Sequence, residues 1–184
     1  MSSVTITLIR HGEAAGRWFE AADPGLSDEG RRQADRLAEE LGSQVPDALV
    51  VSPLRRTRET ADALACAWGI EARVDLVVSE IPAPTEDLDE RGRWLDSVLS
   101  GTWPQMPPAQ RVWRDELLDA LRRLTTDTVV VTHFVAINAV IGAATGDDRL
   151  VCDSPGACSC TVVRVDDGRF HLVSTTAGER SAAR

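Results

Sequence analysis

A chain of 184 residues, 43% hydrophobic and carrying a net charge of −9, can bury a core without metal or disulfide staples, and no run of about 18 apolar residues is present to span a bilayer. The acidic balance argues against a general nucleic-acid binder, whose affinity comes from a basic surface, so an anionic ligand needs a local positive pocket set against the global field. All twenty cationic side chains are arginine, which excludes lysine Schiff-base chemistry and a Walker-type phosphate loop.

The N-terminus runs into a strand pattern without the basic and apolar regions of a signal peptide, and cytoplasmic residence is the expectation. Val4 to Ile9 reads as a buried strand. Ser27 can cap a helix with Asp28 and Glu29 in its first turn, and Ala34, Leu37, Ala38 and Leu41 recur at helical spacing through Gly42. Ala48 to Val51 forms a second strand, and Ser52-Pro53 opens a helix that continues through Thr60, Ala61, Leu64 and Ala65 to Gly69. Arg73 to Val78 reads as a third strand.

Residues 82–108 are the least regular stretch, holding Trp94, Trp103 and a short helix around Leu88 to Leu99; such segments often cover a site and set specificity. Val112 to Leu124 is an amphipathic helix, Thr128 to Thr132 a β-branched strand suited to a sheet covered on both faces, and Val135 to Ala144 a further helix. Thr161 to Val165 and Phe170 to Thr175 form a hairpin around Asp166-Asp167-Gly168, with a mobile tail from Ala177. Strands alternating with helices predict one domain over 1–184, a three-layer α/β/α sandwich with a mainly parallel sheet. Ligands of such sheets gather at the carboxyl ends of the strands.

The reactive residues fall at those ends. Arg10, His11 and Gly12 follow the first strand: arginine offers a planar fork to phosphate oxygens, and glycine permits close backbone approach. Arg55, Arg56 and Arg58 occupy the opening turns of the second helix, with Arg56 expected inward, Arg55 solvated and Arg58 paired with Asp62 at i,i+4. Glu80 follows Val77-Val78-Ser79. His133 ends a strand and leads into a helix whose N-terminal amides favour an anion. The four cysteines, Cys66, Cys152, Cys158 and Cys160, lack zinc-ligand spacing and read as buried thiols. Trp113 reads as helix core, Trp18 as a wall of the site alongside Trp94 and Trp103, and His171 as a surface or cross-strand residue.

Arg10-His11-Gly12-Glu13, Leu26-Ser27-x-x-Gly30-x-x-Gln33-Ala34, Ser52…Arg56-x-Arg58-x-Thr60-Ala61 and the late His133 together resemble the histidine phosphatase superfamily, the phosphoglycerate mutase-like family, over roughly residues 4–176. The resemblance implies that His11 is the nucleophile that carries a phosphohistidine. Arg10, Arg56 and His133, with the Phe134 backbone amide, would hold the phosphoryl oxygens. Glu80 would protonate the leaving oxygen, with Glu13 the alternative acid but more readily a structural hydrogen-bonding residue. No metal or cofactor is implied.

The chain departs from the family in three places. Ala14-Ala15-Gly16-Arg17 stands where an asparagine is customary, so that either a phosphate or substrate contact is lost there or Arg17 replaces it. Phe134 follows the second histidine in place of glycine and narrows the pocket mouth. Glu80-Ile81-Pro82-Ala83-Pro84 lacks the usual sequel. The implied activity is a metal-independent phosphatase, a phosphoric monoester hydrolase acting on a small phosphorylated metabolite or a phosphorylated side chain. A phosphoglycerate mutase and a catalytically silent phosphate-binding protein are the alternatives.

Overall fold

The computed structural model describes residues 3–16 and 20–178; Arg17, Trp18 and the tail beyond 178 lie outside the described residues, and with them the expectations placed there. Six strands form one sheet: β1 (Val4–Arg10), β2 (Ala48–Val51), β3 (Ala72–Val74), β4 (Thr128–Thr132), β5 (Cys160–Asp166) and β6 (Arg169–Thr175), in the order β3-β2-β4-β1-β5-β6. The first four in that order are mutually parallel, and β5 and β6 add an antiparallel margin. The sheet is therefore mixed, its parallel part carrying the strand ends of interest.

Side-chain alternation along the strands divides the core into two layers. Ile6, Leu8, Val50 and Val130 face helices α4 (Pro108–Arg122) and α5 (Phe134–Thr145), packing with Leu117, Leu121 and Ile137. Their neighbours Ile9, Leu49, Val51, Val129 and Val131 face α1 (Asp28–Leu41) and α2 (Arg55–Trp68), packing with Leu37, Leu64 and Trp68. Every residue of β4 is buried, as expected of a central strand covered on both faces. Truncating a residue such as Leu64, fully buried between α2 and the sheet, to alanine would cost about 2–5 kcal/mol.

Local chemistry sets the ends. The Ser27 hydroxyl accepts from the Gly30 amide at 2.9 Å and starts α1. Gly69, at φ 66°, ends α2 in the left-handed region. Asp167 and Gly168, both at positive φ, make the tight hairpin turn between β5 and β6. His171 is exposed on β6 opposite Arg164. Among the described residues no helix is long and apolar enough to cross a membrane.

Four expectations require correction. The strand predicted over 73–78 is only β3; Leu76 to Val78 turn into a 3-10 helix capped by the Asp75 carboxylate, which accepts from the Val77 amide at 3.1 Å. Among the described residues β3 is an edge strand paired with β2, which ends at Val51 opposite Val74, so the ladder stops there. Helix α4 starts at Pro108, ahead of the apolar periodicity, because proline suits a first turn. Trp103 is no cover: it is 1% exposed within the core, 6.1 Å from the Trp113 ring and beneath the Arg114 guanidinium, while Trp94 packs partly buried against the same core. Cys158 and Cys160 are buried beside the α1–α2 layer, but Cys66 is exposed and Cys152 intermediate.

Candidate active site

The first motif is a turn strapped in place from both sides. The His11 amide donates to the Thr132 carbonyl at 3.1 Å, continuing the β1–β4 pairing past the last strand residue. The Gly12 amide donates to Thr60 Oγ1 of α2 at 3.0 Å, and the Glu13 amide to Gln33 Oε1 of α1 at 2.8 Å. The Glu13 carbonyl accepts from the Ser27 amide, and its carboxylate from the Ser27 hydroxyl. A Cβ on Gly12 would meet the Gly30 carbonyl oxygen at 2.6 Å. The Ser27-x-x-Gly30-x-x-Gln33 pattern is thus the bracket that holds the His11 turn, and Glu13 has the structural role expected of it.

His11 is poised as a neutral imidazole. Its Nδ1 lies 2.7 Å from the Gly12 carbonyl and must carry the proton. Nε2 then offers its lone pair and accepts from Arg56 Nε at 3.0 Å. Burial, then the Arg56 and Arg10 charges, hold its pKa well below the ordinary 6.5. His133 is fully buried with its ring centre 5.3 Å from that of His11. Its Nδ1 accepts from Arg56 Nη2 at 3.1 Å, which leaves the proton on Nε2 to be donated to Ser52 Oγ at 2.8 Å. Burial lowers its pKa strongly as well, aided by Arg56.

Two arginines supply the charge. Arg56, 4% exposed, binds both imidazoles through Nε and Nη2, leaving Nη1 buried with no partner among the described residues. Arg10 donates from Nη1 to the Pro155 carbonyl at 2.7 Å, its Nε is buried with no partner among the described residues, and its guanidinium stands 5.2 Å from the Phe134 ring centre. Buried guanidinium donors without acceptors are what an anion site presents.

Glu80 leaves the 3-10 turn after β3, not a strand end, and that turn is tied to β4 by the Thr132 hydroxyl donating to the Val78 carbonyl at 2.6 Å. Its carboxylate accepts from the Ile81 amide at 2.9 Å and the Val135 amide at 3.3 Å. Burial nevertheless raises its pKa, outweighing those amides and the two arginines.

Arg10, His11, Arg56, Glu80 and Phe134 share the wall of one cleft of about 620 Å³, while His133, fully buried and hydrogen-bonded to Arg56, is not among its lining residues. From the irregular segment, Gly92, Leu95 and Asp96 of α3 (Leu88–Val98) and its C-cap Leu99 join the lining of this cleft, and no described tryptophan does. Arg55 is exposed as expected but pairs with Glu59 at i,i+4, and Glu59 also caps the Leu26 amide. The expected Arg58–Asp62 pair is not among the ion pairs of the described residues, and Arg58 is exposed. Sequence reasoning missed Ser52 as the His133 partner; its place one residue beyond β2, level with the end of β4, was the available signal. Among the described residues no group of three or more metal-ligating side chains could hold a metal ion.

The residue pattern of the histidine phosphatase superfamily (branch 1) matches residues 6–177. Phosphoserine phosphatase 1 of Hydrogenobacter thermophilus is 32% identical over 117 residues, 61% of this chain and 52% of that protein, so the match spans about half of that relative's length. A probable phosphoglycerate mutase of Photorhabdus laumondii is 27% identical over 88% of this chain and 84% of its own. A solved mycobacterial glucosyl-3-phosphoglycerate phosphatase superposes with a TM-score of 0.70 at 24% identity, covering 92% of this chain and 97% of that one, a likeness of fold.

Proposed function

The chain belongs to the histidine phosphatase superfamily, branch 1, and on that premise we propose that it is a metal-independent phosphatase hydrolysing a phosphomonoester through a phosphohistidine on His11. The observation that carries this reading is the neutral His11 Nε2 held 3.0 Å from Arg56 Nε, beside buried guanidinium nitrogens of Arg10 and Arg56 that have no hydrogen-bond partner among the described residues.

Nε2 attacks phosphorus as the ester P–O bond breaks, and Glu80, whose raised pKa favours the protonated form, gives its proton to the departing alkoxide. The positive charge that develops on His11 is matched by the phosphoryl oxygens, which Arg10 and Arg56 clamp. Glu80, now a carboxylate, takes a proton from water as that water attacks the phosphohistidine, releasing phosphate and restoring both groups. His133 accepts from Arg56 Nη2 and so fixes the guanidinium fork, with its ring centre 5.3 Å from that of His11. The Phe134 amide, at the N-terminus of α5, faces the same charge.

Acid-base behaviour of the adduct tests this directly. Quenched enzyme should carry phosphate labile to acid and stable to base, absent in His11→Ala, with turnover of 4-nitrophenyl phosphate unchanged by chelator. Label on a serine or cysteine would refute it. The long match to a probable phosphoglycerate mutase supports a second reading, in which the phosphohistidine returns its phosphoryl group to a second hydroxyl. Release of free phosphate from 3-phosphoglycerate without interconversion decides for hydrolysis.

A further inference from the structure

β2 lies between β3 and β4 in the sheet, and its last residue, Val51, is level with Val74 on one side and Val131 on the other. Thr132 is therefore the first β4 residue beyond β2, and the chain that leaves β3 can fold against it. It does so as the 3-10 turn Leu76–Val78, whose Val78 carbonyl accepts from Thr132 Oγ1 at 2.6 Å. Both residues are buried, Thr132 at 1% and Val78 at 2% exposure, where the low dielectric strengthens the bond. The carbonyl of the same threonine accepts from the His11 amide at 3.1 Å. Thr132 thus grips the turn of the candidate nucleophile with its main chain and the turn of the candidate acid with its side chain. Two further bonds steady the acid turn: the Val135 amide donates to Glu80 Oε2 at 3.3 Å, and Gln110 Nε2 donates to the Pro82 carbonyl at 2.8 Å. The threonine bond is the shortest of the three, and it ties the turn to β4 itself.

Resting on the phosphatase reading with Glu80 as its acid, we propose that Thr132 is a positioning residue whose hydroxyl sets the reach of Glu80 from His11, and so governs how well the enzyme expels a leaving group that needs a proton. The step it serves moves the Glu80 proton to the ester oxygen as that oxygen takes the electron pair of the breaking P–O bond and His11 Nε2 bonds phosphorus. Such a transfer needs the carboxyl within hydrogen-bond reach of that oxygen, and a misplacement of about 1 Å can cost about 10²-fold. The His11 turn does not depend on this hydroxyl, because the Thr132 carbonyl, Thr60 and Gln33 already hold it. Deleting the hydroxyl takes the Thr132 donor from the buried Val78 carbonyl, and the turn shifts to recover a hydrogen bond. The loss is felt at the acid and not at the nucleophile.

Leaving groups separate the two ends. Benzyl phosphate releases an alkoxide that must be protonated, whereas 4-nitrophenyl phosphate, of similar size, releases a stable phenolate. Thr132→Val keeps the β-branched shape that a buried strand favours and deletes the hydroxyl. Its kcat for benzyl phosphate should fall about tenfold or more, and its kcat for 4-nitrophenyl phosphate by no more than about threefold. Thr132→Ala should show the same split, and Thr132→Ser, which keeps the hydroxyl, should recover most of the benzyl phosphate rate. Glu80→Gln sets the benchmark, and adding Thr132→Val to it should cost little more on benzyl phosphate, since the hydroxyl acts through the carboxyl. No loss, equal losses on the two esters, or no recovery with serine overturns the inference, and a Glu80→Gln variant still selective against benzyl phosphate then leaves the phosphatase reading standing. Wild-type protein that hydrolyses 4-nitrophenyl phosphate alone has no working acid for Thr132 to position, which overturns the inference as well. Turnover of neither ester by wild-type protein overturns both.

Discussion

At the scale of single residues, Arg56 is the side chain on which the site converges. One guanidinium contacts His11 Nε2 and His133 Nδ1 and keeps a third nitrogen buried with no partner among the described residues. Lysine cannot reproduce that fork, so Arg56→Lys and Arg56→Ala should both lower kcat by about 10²–10³-fold, the scale of losing one preorganised transition-state donor. Circular dichroism should be retained, and recovery of wild-type kcat in the lysine variant would remove the fork from the mechanism. Glu80 makes a different prediction. Activity needs His11 unprotonated and Glu80 protonated, so kcat/KM should fall as pH rises through the elevated Glu80 pKa and as pH drops toward the depressed His11 pKa. Glu80→Gln should erase the alkaline limb and slow alkyl phosphates far more than 4-nitrophenyl phosphate, whose leaving group needs no proton. Equal losses on both would transfer the acid role to another group.

At the scale of elements, the glycines separate what serves the site from what serves the fold. A Cβ on Gly30 of α1 would collide with the Glu13 carbonyl, the turn that carries His11. Helix propensity alone favours Gly30→Ala by about 1 kcal/mol, but overpacking against fixed backbone costs about 1–3 kcal/mol, and the clash should win. The variant should lose both melting temperature and kcat/KM without touching substrate. Gly69→Ala, at the left-handed end of α2 with open space around it, should lose about 1–2 kcal/mol of stability and keep its kcat/KM. Identical activity losses in the two variants would sever the proposed link between α1 and the His11 turn. These contacts give the motif its physical sense: Ser27, Gln33 and Thr60 hydrogen-bond to the Gly12–Glu13 turn, and Gly30 leaves room for it. The Val77-Val78 run misled because strand length is decided by the partner, and β2 had ended. Trp103 misled because its neighbours in the core, Trp113 and Arg114, come from a later helix. The short helix expected around Leu88 to Leu99 stands as α3, but which of its faces meets the cleft was not legible, since none of its residues is fully buried.

For the whole molecule, the same burial that readies the site for chemistry makes folding depend on pH. His11 and His133 are held well below the ordinary imidazole value of 6.5, chiefly by desolvation. Between their native values and 6.5 the unfolded chain binds protons at these positions that the native state does not. Stability therefore rises with pH through that window, by up to about 1.4 kcal/mol per pH unit for each histidine. Glu80 acts in the opposite sense. Its native pKa lies above the ordinary 4.5, so its contribution is present at low pH and is lost as pH climbs through the raised value. Two imidazoles oppose one carboxyl, and the melting temperature should fall as pH is lowered from about 7.5 to 5.5. His133→Gln should flatten that slope, since glutamine titrates nowhere in the range, even if the variant melts lower overall. Inorganic phosphate bound by the Arg10 and Arg56 donors should raise the wild-type melting temperature through mass action, about 2.7 kcal/mol at a hundredfold excess over its Kd. Arg56→Ala should lose most of that shift. A wild-type protein whose melting point ignored both phosphate and this pH range would show that the two imidazoles and the guanidinium fork do not form the buried, charge-poised cluster on which the chemistry depends.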